Sequence, residues 1–376
     1  MRVLFQSRVD LLQKKGGDTV QVIKTAEELR KLGVEVDLDC NIGAQVDSYD
    51  LVHVFQLDWV CESYLHVLNA KKAGKKVVLS PIHHSEKEVK QYEKEERYTF
   101  RRVSNIFITS QEFLDVLKNV YRSFFDLRKL YPTLLSIKDG FRNQQKKVLK
   151  MSDAILTQTD KEFQFLKRDF GVDISCVKIQ LGVSDDFLNP IKKKYFDFSD
   201  YILTVGRIEP RKNQLKIIEA VKLLNKTKGL NLKLVIVGSL NSNNFEYYMR
   251  FNRLLKENNF VEYVPKVNYE DMPSVYNGAK VCVSGSYFET TGLTLIEAAL
   301  SGTNVVARNG DTGEVVREYL GDIPEYCNPS SIESISEAIF RAYKKERPEI
   351  SNEFRNKYTW ANVAKETLKV YNELVK

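Results

Sequence analysis

A chain of 376 residues is longer than one hydrophobic core usually supports, so two domains are the starting expectation, and its formal net charge is +7. Hydrophobic residues at 43% and charged residues at 28% exclude a disordered chain, and no apolar run is long enough to span a bilayer. Five scattered cysteines without C-x-x-C spacing and only four histidines argue against a disulfide framework, a structural zinc site or a histidine-rich metal centre, and for a reducing, cytoplasmic setting.

The chain opens on a strand, Arg2-Val3-Leu4-Phe5, with no signal-peptide pattern before it. A Gly16-Gly17 loop, a helix over 19–32 closed by Gly33 and a strand over 34–38 complete the first cycle. Further strands are predicted at 51–55, 76–80, 105–109 and 154–158; His53 lies inside one of them and reads as structural. Residues 82–150 hold most of the surplus positive charge, which favours anionic partners, phospholipid head groups among them, unless it is a solvated helical face. Within that stretch, residues 113–131 place Phe113, Leu114, Leu117, Val120, Tyr121, Phe124 and Phe125 at helical spacing. Such a helix more commonly packs its aromatic face on a sheet than lies on a membrane.

Residues 183–199, with Pro190 and the run Lys192 to Lys194, carry little periodicity and read as a linker. A second alternation follows: strand 201–205, helix 214–224, strand 232–237, helix 246–257, strand 261–264, helix 272–277, strand 280–283, a helix from Leu293 and strand 304–307. A long C-terminal helix closes the chain, with Trp360, Val363, Leu368, Tyr371 and Leu374 along one stripe. Alternation of this kind describes α/β layers in two doubly wound domains, whose ligands sit beyond the C-terminal ends of the strands.

One junction carries the most chemistry. Val281 to Ser284 is a buried-strand pattern and Leu293 to Leu300 a helix, with Glu289 in the loop between them, Glu297 on the helix and Gly292 at the turn. A glycine there lets an anion approach the unpaired N–H groups of the helix start. Two carboxylates flanking an anion site suit a molecule with phosphate in the middle and hydroxyl-rich ends, as in a nucleotide sugar. The plainer reading is a solvated Glu289 and a capping box between Thr294 and Glu297. Upstream, strand 201–205 runs into Gly206-Arg207, then Arg211-Lys212 and Asn213, an expected N-cap. Arg207 and Lys212 are placed to stabilise charge that develops on a leaving diphosphate.

Gly206-Arg207 with Lys212-Asn213-Gln214, followed by Glu289 and Glu297 eight positions apart, resembles the retaining GT-B glycosyltransferases of family four, the glycosyl transferases of group 1. Gly16-Gly17, the strand Asp50-Leu51-Val52-His53, Glu270-Asp271-Met272, Tyr276 to Ala279, Ala298, Gly302, Val305-Val306 and Gly313-Glu314 extend the likeness over nearly the whole chain. It is weaker between about 85 and 150, usually the acceptor-binding region of this family.

The resemblance implies two Rossmann-like domains facing a central cleft. The first would be an acceptor-side domain over 1–182, joined by the C-terminal helix 356–376; a linker over 183–199 would lead to a nucleotide-sugar-binding domain over 200–355. It implies transfer of a sugar (hexosyl transfer) from a nucleotide-sugar donor to a glycan or lipid-linked hydroxyl acceptor with retention, in surface polysaccharide, glycan or glycolipid synthesis, with no metal and no cofactor. Glu297 would bind the ribose; backbone N–H groups near Gly292, Leu293 and Thr294, with Arg207 and Lys212, would hold the distal phosphate; Glu289 would face the donor sugar. Gly16, with Gly17 beside it in the glycine-rich loop, would close over the phosphate, and His83 or His84 would meet the donor sugar or the acceptor. Weak, peripheral association with an anionic membrane through 82–150 is a further expectation; nucleic acid is not an expected partner. A GT-B epimerase or phosphorylase, or a non-catalytic sugar-binding or scaffolding subunit, are the rival readings. Departures from the family are Gly285-Ser286 for Pro-Ser, Thr290-Thr291 for Gly-Phe and Pro265 for glycine, and they bear on donor identity rather than on fold or reaction type.

Overall fold

A computed structural model describes residues 1–13, 16–95, 135, 139–188, 194–240 and 244–376. The strand expected at 105–109 and the amphipathic helix at 113–131 lie outside the described residues. The chain divides into two compact units: Met1–Glu86, the described part of 97–182 and Trp360–Lys376 form the first, and Lys87–Glu96 with Val183–Thr359 form the second.

The first unit is built on a parallel sheet in the order β2-β1-β3-β4-β5-β6, from β1 (Arg2–Gln6), β2 (Glu35–Leu38), β3 (Leu51–Phe55), β4 (Lys76–Ser80), β5 (Ala154–Thr157) and β6 (Val177–Lys178). Every residue of β3 is buried, which is why Leu-Val-His-Val-Phe shows no alternation: a parallel strand covered on both faces reads as a continuous apolar run. Helices α1 (Gly17–Lys31), α2 (Val60–Lys72), α4 (Phe141–Met151) and α5 (Asp160–Phe170) flank this sheet. Thr159 caps α5 by accepting the Glu162 N–H at 3.0 Å, and Gly171 ends it in the left-handed region at φ 61°. The last helix, α14 (Trp360–Val375), buries Trp360, Val363, Ala364, Thr367, Val370 and Tyr371 at the three-and-four spacing of one face, and packs against α1. Its Tyr371 hydroxyl meets His53 Nδ1 at 2.5 Å while Ser80 Oγ meets Nε2 at 2.9 Å. Full burial holds that imidazole down at about 3, so His53 is a neutral core residue.

The second unit repeats the plan with order β12-β11-β10-β7-β8-β9, all parallel. Its strands are β7 (Tyr201–Val205), β8 (Leu234–Val237), β9 (Val261–Val264), β10 (Ala279–Val283), β11 (Asn304–Arg308) and β12 (Glu325–Cys327). Its helices begin with α3 (Glu86–Glu95, from Lys87 on) and α6 (Asp185–Leu188), then α7 (Gln214–Lys228), α8 (Phe245–Glu257), α9 (Met272–Gly278) and α10 (Leu293–Leu300). Helices α11 (Asp311–Leu320), α12 (Ile332–Lys344) and α13 (Asn352–Lys357) complete it. The segment expected as a linker is partly built into this core: Val183 bridges Thr359, and Phe187 and Leu188 are buried against the cluster of Tyr276 and Ile296. Three apolar residues within six positions are too few to show a period, which hid the element from the sequence.

The order of β7 to β12 has one reversal. From β7 the chain builds outward through β8 and β9, then returns to place β10 on the other side of β7. The loops leaving β7 and β10 therefore border the same crevice, where open α/β sheets bind ligands.

Candidate active site

The β7 loop begins at Gly206, passes Arg207 and Glu209, and makes a short turn at Pro210–Lys212 before α7. The β10 loop runs from Ser284 to Gly292. Topology brings the two together, and charge fixes how. The Glu289 carboxylate, mostly buried, lies between the Lys212 ammonium, on Oε1, and Arg211 Nη1 at 3.1 Å on Oε2. Arg211 also donates to the Phe288 carbonyl at 3.1 Å and to Glu209 Oε1 at 3.0 Å, and the Tyr287 N–H donates to the Arg211 carbonyl at 3.0 Å. Burial alone would raise the Glu289 carboxyl, but Lys212 and Arg211 outweigh it and hold the group well below the ordinary range. Burial likewise pulls Lys212 below its usual value although Glu289 favours its charge.

Two helix-start expectations change here, and a cation that the sequence did not single out joins the site. Arg207 is half-exposed and only approaches Glu209 at 3.9 Å; the cation delivered to Glu289 alongside Lys212 is Arg211. The turn at 210–212 decides which side chains point inward, and no composition signal separates Arg207 from Arg211. Asn213 occupies the position before α7 but in the left-handed region at φ 61°, with its side chain donating to the Pro329 carbonyl at 2.8 Å instead of capping the helix. Thr294 forms no capping box with Glu297: Gly292 takes the N-cap position at φ 75°, and no side chain caps α10. The N-terminal amides of α10, at Leu293 and Thr294, thus follow an uncapped glycine turn, the arrangement that suits an anion.

Glu297, one helical turn further, is buried, and its two oxygens accept the hydroxyls of Tyr269 and Tyr276, each at 3.0 Å. Burial raises its carboxyl to about 7 despite both phenols. The tyrosines come from the turn at Tyr269–Asp271 and from α9, the segment that resembled the family pattern around Glu270 and Tyr276.

In the first unit, Gly16 precedes α1 and Gly17 is its first residue. The Gly16 N–H donates to Thr19 Oγ1 at 3.1 Å, and Asp18 in that first turn pairs with Arg8 at 2.8 Å. His83 and His84 follow β4 and share one partner from the loop after β3: Asp58 Oδ1 lies 3.0 Å from His83 Nδ1, and Oδ2 lies 3.0 Å from His84 Nδ1. His83 is the buried member, its Nε2 3.1 Å from Asp169, and its backbone N–H donates to Glu162 at 2.8 Å. His84 is partly exposed. Asp58, Glu162 and Asp169 were not foreseen, because residues 25 to 86 positions from His83 leave no local pattern. Most of the basic stretch 82–150 lies outside the described residues, and among the described residues no helix is long and apolar enough to cross a membrane.

Residues 189–359 match the family model described as glycosyl transferases group 1. The second unit belongs to that family. Curated relatives agree: the chain is 26% identical over 254 residues to O-antigen chain mannosyltransferase B of Escherichia coli, covering 63% of this chain and 66% of the relative. It is 24% identical over 348 residues to D-inositol 3-phosphate glycosyltransferase of Corynebacterium diphtheriae, covering 80% and 78%. The matched stretch thus spans just under two thirds of the mannosyltransferase. Among solved structures, sucrose-phosphate synthase of Thermosynechococcus elongatus superposes with a TM-score of 0.67 at 17% identity, covering 99% of this chain and 98% of that one. Anabaena HepE in complex with UDP and glucose gives 0.67 at 12% identity, with both chains covered fully. The fold of this chain is therefore the GT-B fold of these structures, two α/β units each on a parallel six-stranded sheet.

Proposed function

We propose that the protein transfers a sugar from a nucleotide-sugar donor to a hydroxyl acceptor, with retention of anomeric configuration and without a metal ion, in the assembly of a surface polysaccharide, glycan or glycolipid. One observation carries this reading: Glu289, mostly buried and held ionised by Arg211 and Lys212, lies in the loop that leads into the uncapped N-terminus of α10, inside the stretch that matches the group 1 model. The relative that acts on an O-antigen chain and the structural neighbour that holds UDP with glucose support the donor and acceptor classes.

Each group then has a task. The distal phosphate binds the amides of Leu293 and Thr294. As the bond from sugar to diphosphate breaks, negative charge grows on the leaving oxygen, and cations already fixed in place lower that barrier by roughly 3–4 kcal/mol per strong donor. Lys212 supplies one, and Arg207, on the same loop and half-exposed, can swing to supply a second. Glu289 faces the sugar, where a fixed negative charge favours an oxocarbenium-like transition state and where attack takes place on the face the leaving group vacates. Glu297 accepts the ribose hydroxyls, beside the phenols it already binds.

A thermal-shift screen against UDP, GDP, ADP, CMP and dTDP identifies the base, since a ligand at a hundred times its Kd stabilises the fold by about 2.7 kcal/mol. Glu289→Ala is expected to lower turnover with donor binding largely kept, and Lys212→Ala to weaken both. If no nucleotide raises Tm, and both variants turn over like the wild type, the assignment is wrong.

A further inference from the structure

Helix α3 contributes two residues to the loop that carries Glu289. Glu88 and Tyr92 are four positions apart and so share one face of the helix. Glu88 is buried, and its carboxylate accepts the Thr312 N–H at 3.2 Å, the Thr312 hydroxyl at 2.5 Å and Arg308 Nη2 at 3.1 Å. Thr312 in turn accepts the Glu289 N–H on Oγ1 at 3.1 Å. One turn along α3, the Tyr92 ring packs on Tyr287 and Phe288, with centroids 5.1 and 5.7 Å away.

We propose that Glu88, with Tyr92, is a positioning residue for Glu289, acting through the Thr312 hydroxyl. A threonine hydroxyl has one proton and two lone pairs. The Glu88 carboxylate takes the proton, which turns a lone pair toward the Glu289 amide and fixes the backbone from which the Glu289 side chain reaches Lys212 and Arg211. Burial pushes the Glu88 carboxyl above its ordinary value, and the Arg308 guanidinium, 3.1 Å away, opposes that shift. Tyr92 holds the preceding two residues from the apolar side, so the loop is pinned by a polar contact at 289 and by ring packing at 287 and 288. No anion is needed at the N-terminus of α11, because Glu88 already occupies it. A carboxylate more than two hundred positions upstream thereby sets the geometry of the proposed sugar-facing group.

This inference rests on the reading of Glu289 as the group that faces the donor sugar, and two measurements separate the two ideas. Hydrogen exchange on the peptide spanning 286–291 reads the positioning directly. In Glu88→Ala and in Thr312→Val its exchange should rise at least tenfold relative to wild type, while Glu88→Gln, whose amide oxygen can still accept the hydroxyl, should restore most of the protection. Unchanged exchange in folded Glu88→Ala overturns the proposal, whatever the activity. Turnover is read as nucleoside diphosphate released from UDP-glucose or GDP-mannose. There Glu88→Ala should lower kcat about tenfold to a hundredfold with KM for the donor within twofold, the range expected for a small misplacement of a reacting group. Adding Glu88→Ala to Thr312→Val should cost nothing further; additive losses overturn the relay. If Glu289→Gln itself retains full kcat while Glu88→Ala still loosens 286–291, the positioning stands and the role of Glu289 falls.

Discussion

Glu297 accepts the Tyr276 hydroxyl at 3.0 Å inside the second core, where burial lifts the carboxyl to about 7. A folded-state value above the ordinary 4.5 means that stability from this group is fully present below about 4.5 and is lost as pH rises through 7. Tyr276→Phe removes a donor to the ionised form and leaves a buried oxygen short of a partner, a loss of roughly 1–3 kcal/mol. Because the phenol matters most to the carboxylate, the loss should be larger at pH 8 than at pH 5. Urea unfolding at both pH values measures it, and an equal cost at the two would show that Glu297 does not titrate in this window.

The charge cluster at Glu289 makes an asymmetric prediction. Glu289→Gln strands Lys212 and leaves Arg211 with Glu209 as its remaining carboxylate, in a site where both cations are mostly buried. Removing one partner from a buried pair costs roughly 3–5 kcal/mol. Lys212→Met removes the more compact cation but leaves Glu289 paired with Arg211 at 3.1 Å, so its cost should be the smaller. Denaturant midpoints at neutral pH should rank wild type, then Lys212→Met, then Glu289→Gln. The reverse order would mean that Glu289, not the cations, is the destabilising member.

His83 supplies the pH dependence of the first unit. Both ring nitrogens face carboxylates, Asp58 at 3.0 Å and Asp169 at 3.1 Å, and only the imidazolium can donate from both. Burial opposes the charge, yet the two aspartates raise the group to about 10. The folded value lies above the ordinary 6.5, so this stabilisation is complete below about 6.5 and fades as pH rises through 10. Wild-type Tm should therefore decline between pH 7 and pH 10 more steeply than that of His83→Gln, since other titrating groups are common to both. Parallel curves would mean that His83 is neutral in the fold. Asp169→Asn should move the decline to lower pH, because one of the two carboxylates that favour the charge is gone.

What the sequence disclosed and what it hid divide along a physical line. Strands such as Leu234 to Val237 were legible because burial on both faces of a parallel sheet forces a run of β-branched and aliphatic residues. That the loops carrying Lys212 and Glu289 each follow a strand was legible, but their ion pair was not, and Arg211 was hidden, since a short turn, not composition, aims it inward. Asp58, Glu162 and Asp169 around His83, and Glu88 beside Thr312, are partners across 25 to 224 positions, and a single sequence carries no trace of such pairings. The Glu297 pocket lies between these cases. Its tyrosines stand in a recognisable segment, but their hydrogen bonds to the carboxylate follow only from the packing of α9 on α10.

The floor of the β7 loop sets a last prediction. Gly206 and Gly238 follow adjacent strands β7 and β8 with φ of 148° and 152°, values that side chains seldom adopt. They differ in what a methyl group would meet. At Gly238 it would lie 2.0 Å from the Gly206 carbonyl oxygen, a backbone atom held by the sheet, whereas at Gly206 it would meet the flexible Lys212 stem at 3.3 Å. Gly238→Ala must therefore push apart the ends of β7 and β8, and with them the loop that delivers Arg211 and Lys212. A loss of several kcal/mol is expected there, from backbone strain of about 1–3 kcal/mol plus the clash, against strain alone at Gly206→Ala. Gly206→Ala should instead act on function, because the Lys212 stem has to shift and its ammonium moves relative to Glu289. Unfolding midpoints and nucleotide affinity measured on both variants should separate, with Gly238→Ala lower in stability and Gly206→Ala lower mainly in affinity. Equal stability losses at the two positions would show that the sheet yields as easily as a lysine side chain does.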